Sequence, residues 1–465
     1  WGLKIFREDR RFRGDWKRAE IRNETIAVRN EAPRAIAVTV TDHGPIICGD
    51  PAKGFGIAFK YTATTDPYVG FDCLLPMMKA VNVDAMDAAM EKWIDPCNNL
   101  LFTDTRGDTA YLHRGRVPIR PMANAWLPVP GWTGDYEWDG NIPFAEMSRI
   151  RNPENGFIVT ANNRIPDETY PFFIALNYVP EFRARRIWNR LSEMPEATAA
   201  SMTAVHADRI SMPARVLSKL IERLEPADGV LAEARARILD WDGAMDPDAV
   251  APTLYSAFRI QLLRRFVENL VGSSLCEAMF TATGRGAPRH LGELAVQMTV
   301  MAEKDDTAVL PPGETWRSMA EGAFADALSS LKAKFGDDME AWTWGAVHRT
   351  APKHPLSDAF PALAAHLDPP SVGMGGDGDT PLAAGFSPGK PFGVTLLSVL
   401  RYVYDAADWD HSGWAVPLGV SGHPASPHYT DQSDAWGRVD LVPMPYSWDR
   451  IKQEAETHQV LNPKT

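Results

Sequence analysis

The sequence is poor in cysteine: four in 465 residues (Cys48, Cys73, Cys97 and Cys276), with no CxxC pair. A zinc ribbon or a thioredoxin-type dithiol needs two sulfurs at that short spacing, so both are excluded, while a single disulfide is neither required nor excluded. Long apolar runs are also missing. The best candidates are stretches as short as Val394 to Val399, far below the roughly 18 residues of a bilayer span, so no membrane-crossing segment is expected. Positive charge is in deficit, 48 Lys and Arg against 60 Asp and Glu, for a formal net charge of −12. Nucleic acid binding needs a cationic surface that releases counterions, and that class is set aside. The first residues, Trp1-Gly-Leu-Lys-Ile-Phe-Arg-Glu-Asp-Arg-Arg, are dense in charge rather than basic then apolar, so no signal peptide is read there. The missing initiator Met points to processing or truncation.

Familiar catalytic signatures are equally scarce. A nucleotide site needs GxxxxGK[ST], or GxGxxG between a strand and a helix. The glycine-rich stretch Gly373-Met-Gly-Gly-Asp-Gly-Asp carries two carboxylates and no lysine, would repel phosphate, and is read as a flexible loop. No HExxH occurs; His348 and His354 are six apart, and His423 and His428 five apart with prolines between, so zinc is not expected. Gly419-Val-Ser-Gly-His misses the hydrolase elbow GxSxG because its second glycine comes one position early. Asp408, Asp410 and His411 beside Ser412 resemble a triad fragment only in composition.

What is present is an ordinary globular balance, 45% hydrophobic and 23% charged, with chain enough for one large domain or two to three ordinary ones. Proline is over-used, 37 residues against a usual ~5%, and there are 15 Trp. So many fixed φ angles imply loops around a β-containing core.

Up to about Tyr170 the runs are short and β-branched: Glu24 to Arg29, Ala35 to Val40, and His43-Gly-Pro-Ile-Ile, which read as strands. Asn99 to Leu112 reads as a hairpin turning through Asp104-Thr-Arg-Gly-Asp, with Gly107 free to take positive φ. The Arg106-Gly107-Asp108 tripeptide is taken as that turn, not as an adhesion motif. Asn82 to Trp93 reads as a capped helix whose Met86, Ala89, Met90 and Trp93 share a face and belong to the core.

From about Glu181 to Arg349 the period becomes helical: Arg183 to Leu191, Ala199 to Arg209, Met212 to Leu224, Leu231 to Asp240, Thr253 to Leu270 and Trp316 to Phe335, the last closed by Gly336. Pro370 to Lys390 is a loop, and Val394 to Tyr404 resumes as strand. This order suggests a sheet region at 1–180, a helical region at 181–350, and a return to the core sheet with a C-terminal segment at 351–465.

Several segments, read in order, resemble the β chain of the penicillin acylase (penicillin amidase) family, amidases of the N-terminal nucleophile hydrolase superfamily. They are Leu127-Pro-Val-Pro-Gly-Trp, Glu137-Trp-Asp-Gly, Ile142-Pro-Phe, Asn152 to Arg164, Tyr170-Pro and Phe182-Arg-Ala-Arg-Arg-Ile. Flanking matches run from His43-Gly-Pro-Ile and Asn99 with Asp104 and Gly107, through Trp241-Asp-Gly, Trp342-Thr-Trp-Gly and His354-Pro-Leu, to Ser421-Gly and Ser426-Pro-His-Tyr-Thr-Asp-Gln. The resemblance implies an α/β (α+β) fold, the αββα sandwich of that superfamily with a large helical insertion, incomplete at the N-terminus.

It also implies an activity: hydrolysis of the amide of an N-acylated small molecule to a carboxylic acid and an amine through an acyl-Ser intermediate. Phe157-Ile-Val-Thr-Ala reads as a buried strand delivering Asn162 and Asn163 at its C-terminal end, where sheet proteins place working side chains. On the residues alone a turn is the plainer reading of an Asn pair. By the resemblance Asn162 takes the oxyanion-hole role, and Arg183 is the arginine that orients the active site, with Arg186 the less favoured register.

The family nucleophile is a Ser at the start of the β chain whose own α-amine is the general base. Residue 1 here is Trp, so the nucleophile, the second oxyanion donor and the α chain are expected to lie outside this sequence, and the chain alone to be inactive. The partners implied are that α chain and the missing N-terminal part of the β chain. Calcium, bound by some members, is not expected, because the Asp position shortly after Tyr170-Pro holds Phe or Ile. The acyl group is left open among aromatic, glutaryl and long-chain lactone types. A catalytically dead relative serving as a binding or structural subunit is the alternative. Periplasmic or secreted location is the family expectation.

Overall fold

The computed structural model describes residues 2–4, 9–65, 70–226, 229–282 and 286–463. The chain divides into two compact units, Trp1–Val179 and Pro180–Thr465.

In the N-terminal unit the short β-branched runs form antiparallel strands: β1 (Gly2–Lys4), β2 (Asp9–Phe12), β3 (Asp15–Arg18), β4 (Glu20–Ile26), β5 (Arg34–Thr41), β6 (Gly44–Asp50) and β7 (Phe55–Ala58). They pair as a five-stranded sheet in the order β1-β7-β6-β5-β4, with β2-β3 a separate hairpin. The strand expected at Glu24 to Arg29 instead spans Glu20–Ile26, because the chain turns at Asn30, where φ is 62°. Between β5 and β6 the turn is held by Thr41, whose Oγ1 accepts from the His43 N–H at 3.1 Å and donates to the Gly44 carbonyl at 3.0 Å. Gly44 has φ +88°, and a Cβ there would sit 2.0 Å from the Phe59 carbonyl oxygen, so the register of this tight turn demands glycine.

The second sheet, β10-β9-β8, contains the expected hairpin: β8 (Asn98–Thr103) and β9 (Thr109–Arg114), with β10 (Arg149–Arg151) on the far side of β9. Gly107 sits in the turn at φ 90°, and Arg106 folds back on Asp104 at 3.1 Å, which makes the tripeptide part of a closed turn. The helix Val83–Ala89 is capped by Asn82, whose side chain accepts from the Ala85 N–H. Its Met86, and Met90 just past its end, pack with Cys73, Leu112, Ile142 and Met147 in one apolar cluster that also takes in Phe172 and Ile174. The Phe157 to Thr160 run forms no strand. A side-chain bond from the hairpin, Asn99 Nδ2 to Thr160 Oγ1 at 2.8 Å, reaches it. A short apolar run marks burial but cannot specify a ladder partner.

In the C-terminal unit the helical period is realised at Phe182–Ser192, Ala199–His206, Met212–Glu222, Gly229–Leu239, Ala251–Val271 and Trp316–Phe335. Two further helices, Ser273–Thr281 and Gly286–Glu303, escaped the periodicity, since Gly272, Gly284 and Pro288 punctuate that stretch as a loop would. Ala251–Val271 is buried around most of its circumference and is the axis on which the others pack, as expected of a helix apolar on nearly all faces. Its Phe258 meets Phe324, and Phe266 stacks on Trp316. Each such ring contributes roughly 1.5–3 kcal/mol through burial. Thr315 and Ser318 form a reciprocal capping box at the start of Trp316–Phe335, and Gly336 at φ +87° closes it, donating to the Lys332 carbonyl.

Sequence order suggested that the last third returns to the N-terminal sheet. Among the described residues its strands pair only with one another: β11 (Ala384–Gly385) with β12 (Leu396–Leu397), and β13 (Arg401–Val403) with β14 (Gly413–Ala415), itself paired with β15 (Val442–Pro443). The Gly373 to Asp379 stretch is not a loose loop. Met374 and Asp377 are buried, the Gly376 N–H donates to the Met245 carbonyl, and Trp344 Nε1 donates to the Gly376 carbonyl at 2.9 Å. A Cβ on Gly373 would lie 2.5 Å from the Gly345 carbonyl and one on Gly376 2.0 Å from that of Leu382, so these glycines let backbones touch.

Candidate functional site

Asn162 lies in the N-terminal unit, exposed, at φ 65°. Asparagine reaches this left-handed region more readily than most L-residues, but holding it there needs surrounding contacts. The contacts are present on both sides. The Asn162 carbonyl accepts from the Val179 N–H at 2.9 Å, and Asn163 Oδ1 accepts from the Ala161 N–H at 3.0 Å. Thr160 is held from β8 by Asn99, whose Oδ1 in turn accepts from Tyr111 Oη at 2.7 Å. Burial pushes the Tyr111 phenol well above its ordinary pKa, so it stays a neutral donor. The backbone is thereby held at Ala161 and Asn162, and the Thr160 hydroxyl is held beside them, the kind of restraint that a preorganised hydrogen-bond donor requires.

In the same unit His43, in the β5–β6 turn, is buried and places Nε2 2.7 and 2.9 Å from the two Glu137 oxygens. Both residues fall in the segments that carried the family resemblance. Their bond ties the turn to the Glu137-Trp-Asp-Gly loop.

Arg183 belongs to the C-terminal unit, in the first turn of Phe182–Ser192. Burial holds its pKa below the ordinary guanidinium value, against the opposing charge of Asp379. Arg186 is committed elsewhere: its Nε donates to both Asp208 oxygens at 3.0 Å and its Nη2 to Oδ2 at 2.6 Å. A bidentate pair of this kind anchors one helix to the next chain turn. Asp379 also meets Arg259, from the central helix, whose Nη1 donates to its Oδ2 at 2.6 Å. Asp377 completes the group, its Oδ1 accepting from the Asp379 N–H at 2.7 Å. Burial and the neighbouring Asp379 push the Asp377 carboxyl up to about 7, with Arg259 opposing. Burial works against the Arg259 charge too, but Tyr255, Asp379 and Asp377 outweigh it and its pKa rises.

Sequence reasoning named Asn162 and Arg183 but missed Arg259, Asp379 and Tyr111. The two carboxylates were visible in the glycine-rich stretch; a buried position for them was the signal not drawn. The other motifs resolve as framework. The Ser447 side chain first, and then the Tyr446 and Ser447 N–H groups, hold the Asp410 carboxyl down at about 2. Ser412 is buried and accepts from the Asp405 N–H, while His411 is exposed. His348 is enclosed, its ring nitrogens facing the Phe392 and Ala384 carbonyls. Phe172 and Ile174, at the place where some family members would offer a calcium carboxylate, pack into the apolar cluster and do not fit that ion. Among the described residues no three His, Cys, Asp or Glu gather as a metal site. Trp1 lies outside the described residues. Two cavities of about 300 and 550 Å³ open in the C-terminal unit, and neither is lined by Arg183.

Comparison with known proteins places these observations. The family profile described as penicillin amidase matches residues 4–453. Penicillin acylase 2 proenzyme of Pseudomonas sp. (strain SE83) is 38% identical over 99% of this chain and 59% of its own length. Acyl-homoserine lactone acylase QuiP of Pseudomonas fluorescens (strain Pf0-1) is 26% identical over 94% of this chain and 55% of its own length. The chain thus spans little more than half the length of these relatives. Among solved structures, the thermostable penicillin G acylase from Alcaligenes faecalis superposes with a TM-score of 0.69, covering 98% of this chain and 84% of that one at 22% identity, a likeness of fold.

Proposed function

The chain belongs to the penicillin amidase family, and from that premise we propose that it is the larger part of an amidohydrolase that cleaves N-acylated small molecules to a carboxylic acid and an amine. The observation that carries the reading is Asn162, an exposed side-chain amide on a backbone held at a positive φ by the contacts of Thr160, Ala161 and Val179.

In this reading a Ser hydroxyl from a segment outside this sequence attacks the amide carbonyl, and its proton passes to the α-amine of the same residue. The carbonyl oxygen becomes an oxyanion, and the Asn162 Nδ2–H group donates to it, a bond that matters most where charge develops. Collapse breaks the C–N bond and returns the proton to the departing amine. Water, deprotonated by the same α-amine, then releases the acid. Arg183 orients the centre by its fixed charge. The partners are the α chain and the N-terminal part of the β chain, and the periplasm is the proposed location. Acylated β-lactams and acyl-homoserine lactones are the substrate classes that the names of the relatives suggest.

In the full-length precursor, Asn162→Ala should leave chain processing intact and lower turnover of a chromogenic acyl amide by ~10²–10³. Undiminished turnover would remove Asn162 from the oxyanion hole.

A further inference from the structure

We propose that Asn99 is a positioning residue for the Asn162 amide, acting through Thr160; the inference rests on the oxyanion reading of Asn162 given above. Asn99 lies on β8 and reaches in two directions. Its Oδ1 accepts from Tyr111 Oη at 2.7 Å, and its Nδ2 donates to Thr160 Oγ1 at 2.8 Å. Tyr111 is on β9, 1% exposed, and β8 and β9 pair over six residues from Asn98↔Arg114 to Thr103↔Thr109. The bond to Tyr111 therefore locks the Asn99 side chain onto a rigid hairpin.

Thr160 is in a stretch without strand pairing, two residues before Asn162. Beside it, the Asn163 bond to Ala161 is local and the Val179 bond to Asn162 comes from another irregular stretch. Among the hydrogen bonds between described residues, the tie from Asn99 refers this stretch to a sheet. A left-handed asparagine persists only where its surroundings over-determine it. With the tie gone, residues 160–162 gain freedom to relax toward ordinary φ, which turns the Asn162 amide away from the point where charge develops. A misplacement of about 1 Å in such a group can lower the rate ~10²-fold.

The test uses the full-length, processed enzyme and a chromogenic acyl amide. Thr160→Val removes the accepting hydroxyl and leaves the hairpin untouched; Asn99→Leu removes both bonds; Asn99→Asp keeps acceptors toward both hydroxyls. The proposal expects kcat to fall ~10–10²-fold for Thr160→Val and Asn99→Leu with KM within about twofold, partial recovery in Asn99→Asp, and no further loss when Thr160→Val is added to Asn162→Ala. If Asn162→Ala loses turnover but Thr160→Val keeps wild-type kcat, the positioning role is overturned and the Asn162 reading stands. An equal loss from Thr160→Val with and without the Asn162 amide also overturns it, because the effect then bypasses Asn162. Undiminished turnover in Asn162→Ala itself sinks the parent reading instead.

Discussion

Arg259 and Asp379, 120 residues apart in sequence, meet through a 2.6 Å bond between Nη1 and Oδ2, with each side chain 17% exposed. The pair joins the central helix to the glycine-rich stretch. Removing one partner of a buried pair leaves an uncompensated charge, at a cost of about 3–5 kcal/mol, whereas replacing both by apolar residues is far milder. Arg259→Met should therefore lower the urea unfolding free energy by about that amount, and Arg259→Met with Asp379→Leu should recover most of it. Additive losses in the double variant would show that the pair is not coupled.

Asp377 supplies a pH dependence with a definite sign. Unfolded, its carboxyl releases the proton near ~3.9; folded, burial and Asp379 hold the proton up to about 7. Between these values the folded state binds more protons than the unfolded one, so this group makes stability fall as pH rises, and its effect levels off above the folded value. Asp377→Asn keeps the oxygen that accepts from the Asp379 N–H and removes the titration. Melting temperatures followed from pH 4 to 8 should decline less steeply in the variant than in the wild type; parallel curves would contradict the assignment.

Arg183 and Arg186 should separate cleanly. Arg186 is occupied by Asp208, a side chain only 6% exposed that Arg190 also approaches at 3.5 Å, so Arg186→Gln should reduce stability by about 1–3 kcal/mol, the range for hydrogen bonds to a charged group, with kcat retained. Arg183→Lys keeps the charge but not the planar fork, and in the proposed enzyme it should lower kcat ~10²-fold. The comparison of melting temperature with kcat for the two variants is the measurement. A fall in kcat for Arg186→Gln alone would exchange the roles.

Much of the fold was legible where short-range rules govern. The period of three and four located Trp316–Phe335 to the residue, and Asn82 and Gly336 marked a start and a stop by their capping chemistry. The hairpin at Asn98–Arg114 followed from a turn between two short, largely apolar runs. The Ser273–Thr281 and Gly286–Glu303 helices were obscured by the glycines and proline around them, residues whose local preference the surrounding packing overrode. The Phe157 to Thr160 run failed for a different reason: a strand is defined by its partner, and a partner cannot be read from so short an apolar run.

The candidate site divides in the same way. Asn162 and Arg183 enter as candidates from the sequence alone, because short segments in a fixed order carry the family pattern. That order sufficed for the family. Only the tertiary structure decided that the glycine-rich stretch is buried, that its Asp379 faces Arg259 and its Asp377 is raised toward neutrality, and that Asn99 ties Thr160 to the Tyr111 hairpin. Helix periods and caps are set by neighbours a few residues away. Burial, pKa and the aim of an amide depend on atoms brought together from distant parts of the chain.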